Sequence, residues 1–244
     1  DGRAAQGNHT EVRQLKVLTF DLEADNLLPG LTKIHCLWIK DYHTKEWYDY
    51  GPEEIEEGLK ILEEADVLVG QNIIKYDIPA LKKIYPNFNP KAKTRDTQVM
   101  SMVLYSDMKE KDFARRKARK AKGKDWIPGN MTGRHGLEAW GYRMGIWKGD
   151  YSHDVKAMSA EYRKHKDLSQ VPEEYRCLAT TDSRGRPALD PWKCWNQPMH
   201  DYCKQDVEVT EKLFDRLLAK CEELKINPWD FKPGPKKDVI QLEH

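Results

Sequence analysis

No apolar run in the 244 residues exceeds four, the longest being Cys36 to Ile39 and Met102 to Tyr105. A bilayer span needs about 20 consecutive apolar residues, so membrane insertion is not expected. There is no C-x-x-C pair among the five cysteines, and an odd count fits reduced thiols inside a cell better than a disulfide framework. The N-terminal DGRAAQGNHT lacks a hydrophobic signal core, which adds to the expectation of a cytoplasmic protein. Net charge is nearly absent too: 41 Lys and Arg against 40 Asp and Glu leave +1, which excludes nothing about partners. There is no internal repeat. What the chain does have is eight Trp, eleven Tyr and five Phe, too many for a disordered polymer. A folded protein with one generous domain, or a domain with insertions, is the expectation.

Charge is unevenly placed. Residues 109–124, KEKDFARRKARKAKGK, carry nine Lys or Arg against Glu110 and Asp112, a local +7, and read as a mobile surface loop. A second polar excursion, 169–198, holds four prolines. Around these the pattern alternates. LKVLTF (Leu15 to Phe20), TKIHCLWIK (Thr32 to Lys40) and Lys45 to Tyr50 read as a strand meander. Helix Pro52 to Glu64, strand Val67 to Val69, helix Asp77 or Pro79 to Tyr85, strand Thr94 to Asp96 and helix Thr97 to Tyr105 follow. Residues 134–145 resume helix, and a long helix runs from Met199 to about Leu224. Strands first, then strands alternating with helices, predict an α/β fold with a mixed β-sheet flanked by helices.

Three places carry chemistry. On the first strand Val17, Thr19, Asp21 and Glu23 share one face, because strand side chains alternate. Two carboxylates pointing the same way at the end of a buried strand repel each other and lose hydration, so a cation is the natural neutraliser, and a hard one such as magnesium suits oxygen ligands. In VGQNIIKYD, Asp77 falls just beyond the carboxyl end of a short buried strand, where α/β sheets gather functional groups. On the last helix Tyr202 and Asp206 are i and i+4, about 40° apart, and Val209, Leu213 and Leu217 continue their stripe toward the core. Cys177, Cys194, His200 and Cys203 are near in sequence but match no familiar zinc spacing.

Taken in order, FDLEADNLL, QNIIKYDIPAL and HDYCKQDVEVT resemble the three motifs of the DEDDy 3′-to-5′ exonucleases, in particular the proofreading domain of family A DNA polymerases. RHGLEAWGYRMGIWKGDY (Arg134 to Tyr151) and the five-residue step from Asn72 to Asp77 look like those of T-odd phage replicative polymerases. The resemblance covers about Leu15 to Leu218. It implies an RNase H-like exonuclease fold over residues 15–225, with insertions near 109–133 and 169–198, a disordered or tag-derived segment 1–14, and a tail 226–244 ending in a tag-like Leu242-Glu243-His244.

The resemblance also implies an activity: hydrolysis of the terminal phosphodiester of single-stranded or frayed DNA, releasing nucleoside monophosphates, with two divalent ions, Mg2+ or Mn2+, about 3.5 to 4 Å apart. Carried over residue by residue, Asp21, Glu23, Asp77 and Asp206 are the metal-site carboxylates, Asp77 acting through water, while Tyr202 and Glu23 orient the attacking water. Leu27 corresponds to an apolar wedge between the last bases, and Gln71, Asn72 and Tyr76 to residues near the terminal nucleotides. Arg115, Arg116 and Lys117 of the basic stretch, with Arg119 and Lys120, are candidates for gripping the phosphate backbone, against the alternative of a solvated charged loop. The implied partners are DNA 3′ ends and a polymerase domain or subunit, in a phage-infected or bacterial cell. The chain stops soon after the third motif, so polymerisation is not expected. An RNA-trimming exonuclease and a non-catalytic nucleic-acid-binding or polymerase-docking module remain the alternatives.

Overall fold

The structure is a computed structural model that describes residues 13–120, 127–146 and 149–229, with the side chains of Arg119 and Lys120 outside the description. Segments 1–12 and 230–244, residues 121–126 of the basic stretch, and Trp147 and Lys148 lie outside the described residues, so the expectations placed on them are not addressed.

Alternation in VLTFDLEA builds the central strand β1 (Val17–Ala24). β2 (Ile34–Asp41) pairs antiparallel to it, and β3 (Trp47–Tyr50) antiparallel to β2. After α1 (Ile55–Glu63) comes β4 (Val67–Gly70), parallel to β1; after α2 (Asp77–Ile84) comes β5 (Lys93–Asp96), parallel to β4. The order β3-β2-β1-β4-β5 makes the expected mixed sheet, with β1 in the middle. Helices α3 (Thr97–Leu104), α4 (Met108–Lys120), α5 (Leu137–Met144) and α6 (Tyr151–His165) follow, then a small hairpin of β6 (Ala179–Thr181) and β7 (Pro187–Leu189), then α7 (Gln197–Glu223).

Each sheet face takes its own cover. Leu18, Phe20 and Leu22 of β1 are buried with Ile55, Leu59 and Leu62 of α1 and Leu81 of α2. On the reverse, Val17, Val67 and Val69 pack with Met100, Trp140, Leu213 and Leu217 of α3, α5 and α7. Because Asp21 and Glu23 alternate with Leu22, they fall on the α7 side. Asn196 caps α7, its Oδ1 accepting from the Met199 N–H at 2.9 Å, and Pro198 sits in the first turn where a missing N–H costs nothing.

Two expectations are corrected. Residues 109–120 of the basic stretch belong to α4, not to a loop. Its Ala, Lys, Arg and Glu are good helix formers, Lys111 pairs with Asp107 one turn back, and Asp112 is buried against Arg143 of α5, Oδ2 to Nη2 at 2.7 Å. The reduced-thiol expectation fails at Cys177 and Cys194, which form a disulfide. Cysteine arithmetic takes no account of the β6–β7 hairpin, which pairs Ala179 with Leu189 and so draws together the residues just before and just after it. Cys36, Cys203 and Cys221 are buried and lie outside this disulfide. The chain also packs past residue 225: Pro228 accepts from Arg95 Nε and Nη2 at 2.8 and 2.6 Å, and Trp229 meets Phe214 edge-on. Among the described residues no helix is long and apolar enough to cross a membrane.

Candidate active site

The site grows from the second half of β1. Asp21 lies opposite Trp38, and Glu23 opposite Cys36, of β2. Past Glu23 the register slips, Ala24 pairing with Ile34, so that His35 is the extra residue of a bulge. Helix α7 crosses this end of the sheet and packs Cys203 and Val207 against Cys36 and Trp38. Cys203 Sγ donates to Asp21 Oδ2 at 3.7 Å, and one ligand atom each from Asp21, Glu23 and Cys203 lie within 4.8 Å of one another. Burial, the contact with Cys36 and the negative charges of Asp21 and Glu23 push the Cys203 thiol up, whereas the contact with Cys203, aided by His200, holds Cys36 below the usual thiol range.

Asp77 reaches the same neighbourhood from β4. Gly70 ends that strand because a Cβ there would lie 2.2 Å from Ile73 Cγ2 and 2.9 Å from the Phe20 carbonyl oxygen. The turn continues through Asn72, whose φ of 63° is left-handed, a conformation asparagine tolerates better than most residues. Asp96 holds this turn: its carboxylate accepts from the N–H groups of Asn72 (3.0 Å) and Ile74 (3.1 Å), and caps α3 through Gln98 (2.9 Å). Asp77 then begins α2, only 3% exposed. Burial pushes its carboxyl up to about 7; the charges of Asp96 and Asp206 act in the same direction, and hydrogen bonds from the backbone of Asp77 itself and of Leu22 oppose it. Leu22 stands between Asp21 and Glu23, so this carboxyl lies against the acidic strand end, within the field of the buried Asp206.

Beside Glu23 opens a cavity of about 570 Å³, lined by Glu23, Leu27, Tyr76, Asp190 and Trp192 among others. Tyr76 is fixed by its hydroxyl, which donates to the Asn26 carbonyl at 2.7 Å, and burial with the charges of Asp77 and Glu23 pushes its pKa to about 12. Leu27 is 71% exposed at the rim. The opposite wall comes from the segment after β7, where the Trp192 carbonyl meets His35 Nε2 at 2.8 Å. Burial holds the His35 pKa down, so the neutral ring donates Nε2–H there.

The remaining expected residues meet other neighbours. Tyr202 borders a cleft of about 510 Å³ shared with Glu138 and Tyr142 of α5, His153 and Asp154 of α6, and Asp150; its ring is 6.0 Å from that of Tyr151. Gln71 is engaged with Thr97 Oγ1, Gln98 and the His135 carbonyl, and neither it nor Asn72 lines the Leu27 cavity. Arg116 donates to the Ile127 carbonyl at 2.9 Å, and Arg115 and Lys117 are exposed on α4, a helix anchored to α5. Sequence reasoning passed over Asp96 and Trp192, and weighed Cys203 only with Cys177, Cys194 and His200, as a zinc set of unfamiliar spacing. Only Asp96 has a local signal, an aspartate in the N-cap position before Thr97-Gln98-Val99.

Chemically, the arrangement is a set of carboxylates crowded at one strand end with a thiol beneath them. Charge of one sign at this density calls for a cation, and Asp21, Glu23 and Cys203 form a possible binding group.

No family model matches the chain. It is 35% identical over 215 residues to the DNA-directed DNA polymerase of Enterobacteria phage T3, and 35% identical over 216 residues to that of Escherichia phage T7. Each match covers 83% of this chain and 27% of the relative. The chain therefore spans about a quarter of the length of these curated relatives, and it is related in sequence to phage DNA-directed DNA polymerases through that segment.

Proposed function

We propose that the chain is a metal-dependent 3′-to-5′ exonuclease of the DEDDy type, with an RNase H-like fold, acting on single-stranded or frayed DNA as the proofreading part of a phage-type DNA polymerase. The observation that carries the reading is the meeting of three distant segments: Asp21 and Glu23 on β1, Asp77 hydrogen-bonded at Leu22 between them, and Asp206, whose charge reaches Asp77 from α7. The mixed sheet flanked by helices supports the fold assignment, and the kinship with phage polymerases supports DNA as substrate.

The donor set fits divalent cations, since carboxylate oxygens predominate and their mutual repulsion is what bound cations would relieve. Two such ions, held by Asp21, Glu23, Asp206 and, through water, Asp77, would supply an activated water and stabilise charge on the attacking and leaving oxygens. The chain's own residues do the rest. Tyr202, four residues before Asp206, orients the attacking water by its hydroxyl. The Leu27 cavity takes the terminal nucleotide, with Tyr76 and Trp192 as aromatic walls that stack on any base and therefore impose no sequence preference. A paired terminus must give up its stacking to enter, so a mismatched end enters more readily.

Incubation with a single strand labelled at its 3′ end should release mononucleotides stepwise with Mg2+ or Mn2+ and none with chelator. Asp21→Asn should be inactive, yet in chelator it should melt no lower than the parent, because it removes one of several crowded charges. Matched DNA and RNA strands test the substrate. Absence of hydrolysis with either metal would refute the proposal, and binding that survives chelation without product would point to a non-catalytic module.

A further inference from the structure

The three cysteines outside the disulfide occupy two kinds of place. Cys221 lies in the apolar cluster with Leu213, Phe214 and Leu217, the ordinary setting of a buried thiol as a small hydrophobe. Cys203, fully buried, has its sulfur 3.7 Å from Asp21 Oδ2 and in one group with Glu23. A cation bound tetrahedrally at about 2.3 Å from sulfur and about 2.0 to 2.2 Å from oxygen sets those ligand atoms about 3.5 Å apart. The observed sulfur-to-oxygen gap is close to that, so Cys203 and Asp21 need little rearrangement to share one ion.

We propose that Cys203 is a metal ligand, which together with Asp21 and Glu23 gives the site an affinity for thiophilic divalent cations such as zinc or cadmium that carboxylates alone would not have. The inference rests on the proposed carboxylate site but adds a donor of different chemistry. Magnesium prefers an all-oxygen shell, whereas a thiolate favours zinc and its heavier congener. On binding, the Cys203 thiol loses its proton to the buffer as the sulfur–metal bond forms, so no oxidant or reductant is involved. Cys36, hydrogen-bonded to Cys203 from β2 and lying opposite Glu23, positions the sulfur from behind.

The test is a cadmium titration of the chelator-stripped protein without reductant, which leaves Cys177–Cys194 closed, following the ultraviolet thiolate-to-cadmium charge-transfer band. The parent and Cys221→Ser should both develop the band, saturating at one ion per chain. Cys203→Ser should lose it while still binding Mn2+ by electron paramagnetic resonance. Asp21→Asn, which keeps the thiol, should weaken cadmium binding at least about tenfold. No band in the parent, a band that persists in Cys203→Ser, or unchanged cadmium affinity in Asp21→Asn would each overturn the proposal. Circular dichroism of both variants checks folding, and Asp21→Asn decides should Cys203→Ser fail to fold. The readout needs no substrate, so a cadmium band without hydrolysis would refute the nuclease reading alone, and Mg2+-dependent hydrolysis without a band would refute this one alone.

Discussion

Asp77→Asn tests the electrostatics of the site without any substrate. In the metal-free fold, burial and the charges of Asp96 and Asp206 raise the Asp77 carboxyl from an ordinary 3.8 to about 7. Between those two values the unfolded chain has released the proton and the folded chain has kept it. Stability therefore falls as pH rises from about 4 to about 7, and is flat beyond. The gap from 3.8 to about 7, at about 1.4 kcal/mol per pH unit, sets a ceiling of about 4 kcal/mol on the loss. Asparagine keeps the shape and an oxygen for the Leu22 hydrogen bond but carries no charge. Urea unfolding in chelator should therefore find the variant equal to the parent near pH 4. It should exceed the parent by a margin that grows with pH and levels off at up to about 4 kcal/mol above pH 7. Saturating Mg2+ or Mn2+ should shrink that margin, because a bound cation stabilises the folded parent more than the variant. A margin independent of pH, or a variant less stable than the parent at pH 8, would refute the placement of Asp77 in a shared field of negative charge.

Three further outcomes are expected of the proposed exonuclease. Tyr202→Phe should lower kcat about 100-fold with little change in KM, since only the hydroxyl that orients water is removed; single-turnover hydrolysis of an oligonucleotide checks this, and an unchanged rate would remove Tyr202 from the reaction. Trp192→Ala should raise KM for single strands about tenfold, the low to middle part of the roughly 1 to 3 kcal/mol that stacking contributes per base, with a smaller effect on kcat. Arg115→Gln with Lys117→Gln should flatten the dependence of log KM on log salt by about 0.7 for each phosphate that α4 no longer neutralises, and an unaltered slope would show that α4 does not grip DNA.

The parts of the fold and site legible in the sequence are those whose pattern is local. The period of two in VLTFDLEA places Leu18, Phe20 and Leu22 in one core and leaves Asp21 and Glu23 together on the other face, as found. The period of 3.6 in α7 likewise aligns the buried Asp206, Val209, Leu213 and Leu217, and the start expected at Met199 falls two residues inside the helix, which begins at Gln197. Helix α4 was obscured because its stripe is polar: it turns Asp112 inward, to a partner 31 residues away that no window over the basic run contains. The hairpin was obscured by strands of three residues each, too short for alternation to register, and with it went the disulfide.

Cys203 shows most directly why a period alone cannot complete a site. Spacing along the chain set it beside Cys177 and Cys194, which instead bond to each other, while its own partners, Cys36 on β2 and Asp21 on β1, are more than 160 residues upstream. A helical period fixes which residues share a face; what that face meets is decided by the sheet it crosses. The same holds for Trp192, a wall of the Leu27 cavity whose carbonyl accepts a hydrogen bond from His35, the extra residue in the β2 bulge. His35→Gln retains an N–H donor for that carbonyl and His35→Leu does not. If the bulge positions the wall, Leu at this position should raise KM for single strands about as much as Trp192→Ala does, and Gln should restore most of the loss. Equal behaviour of the two His35 variants would mean that the wall stands without this hydrogen bond.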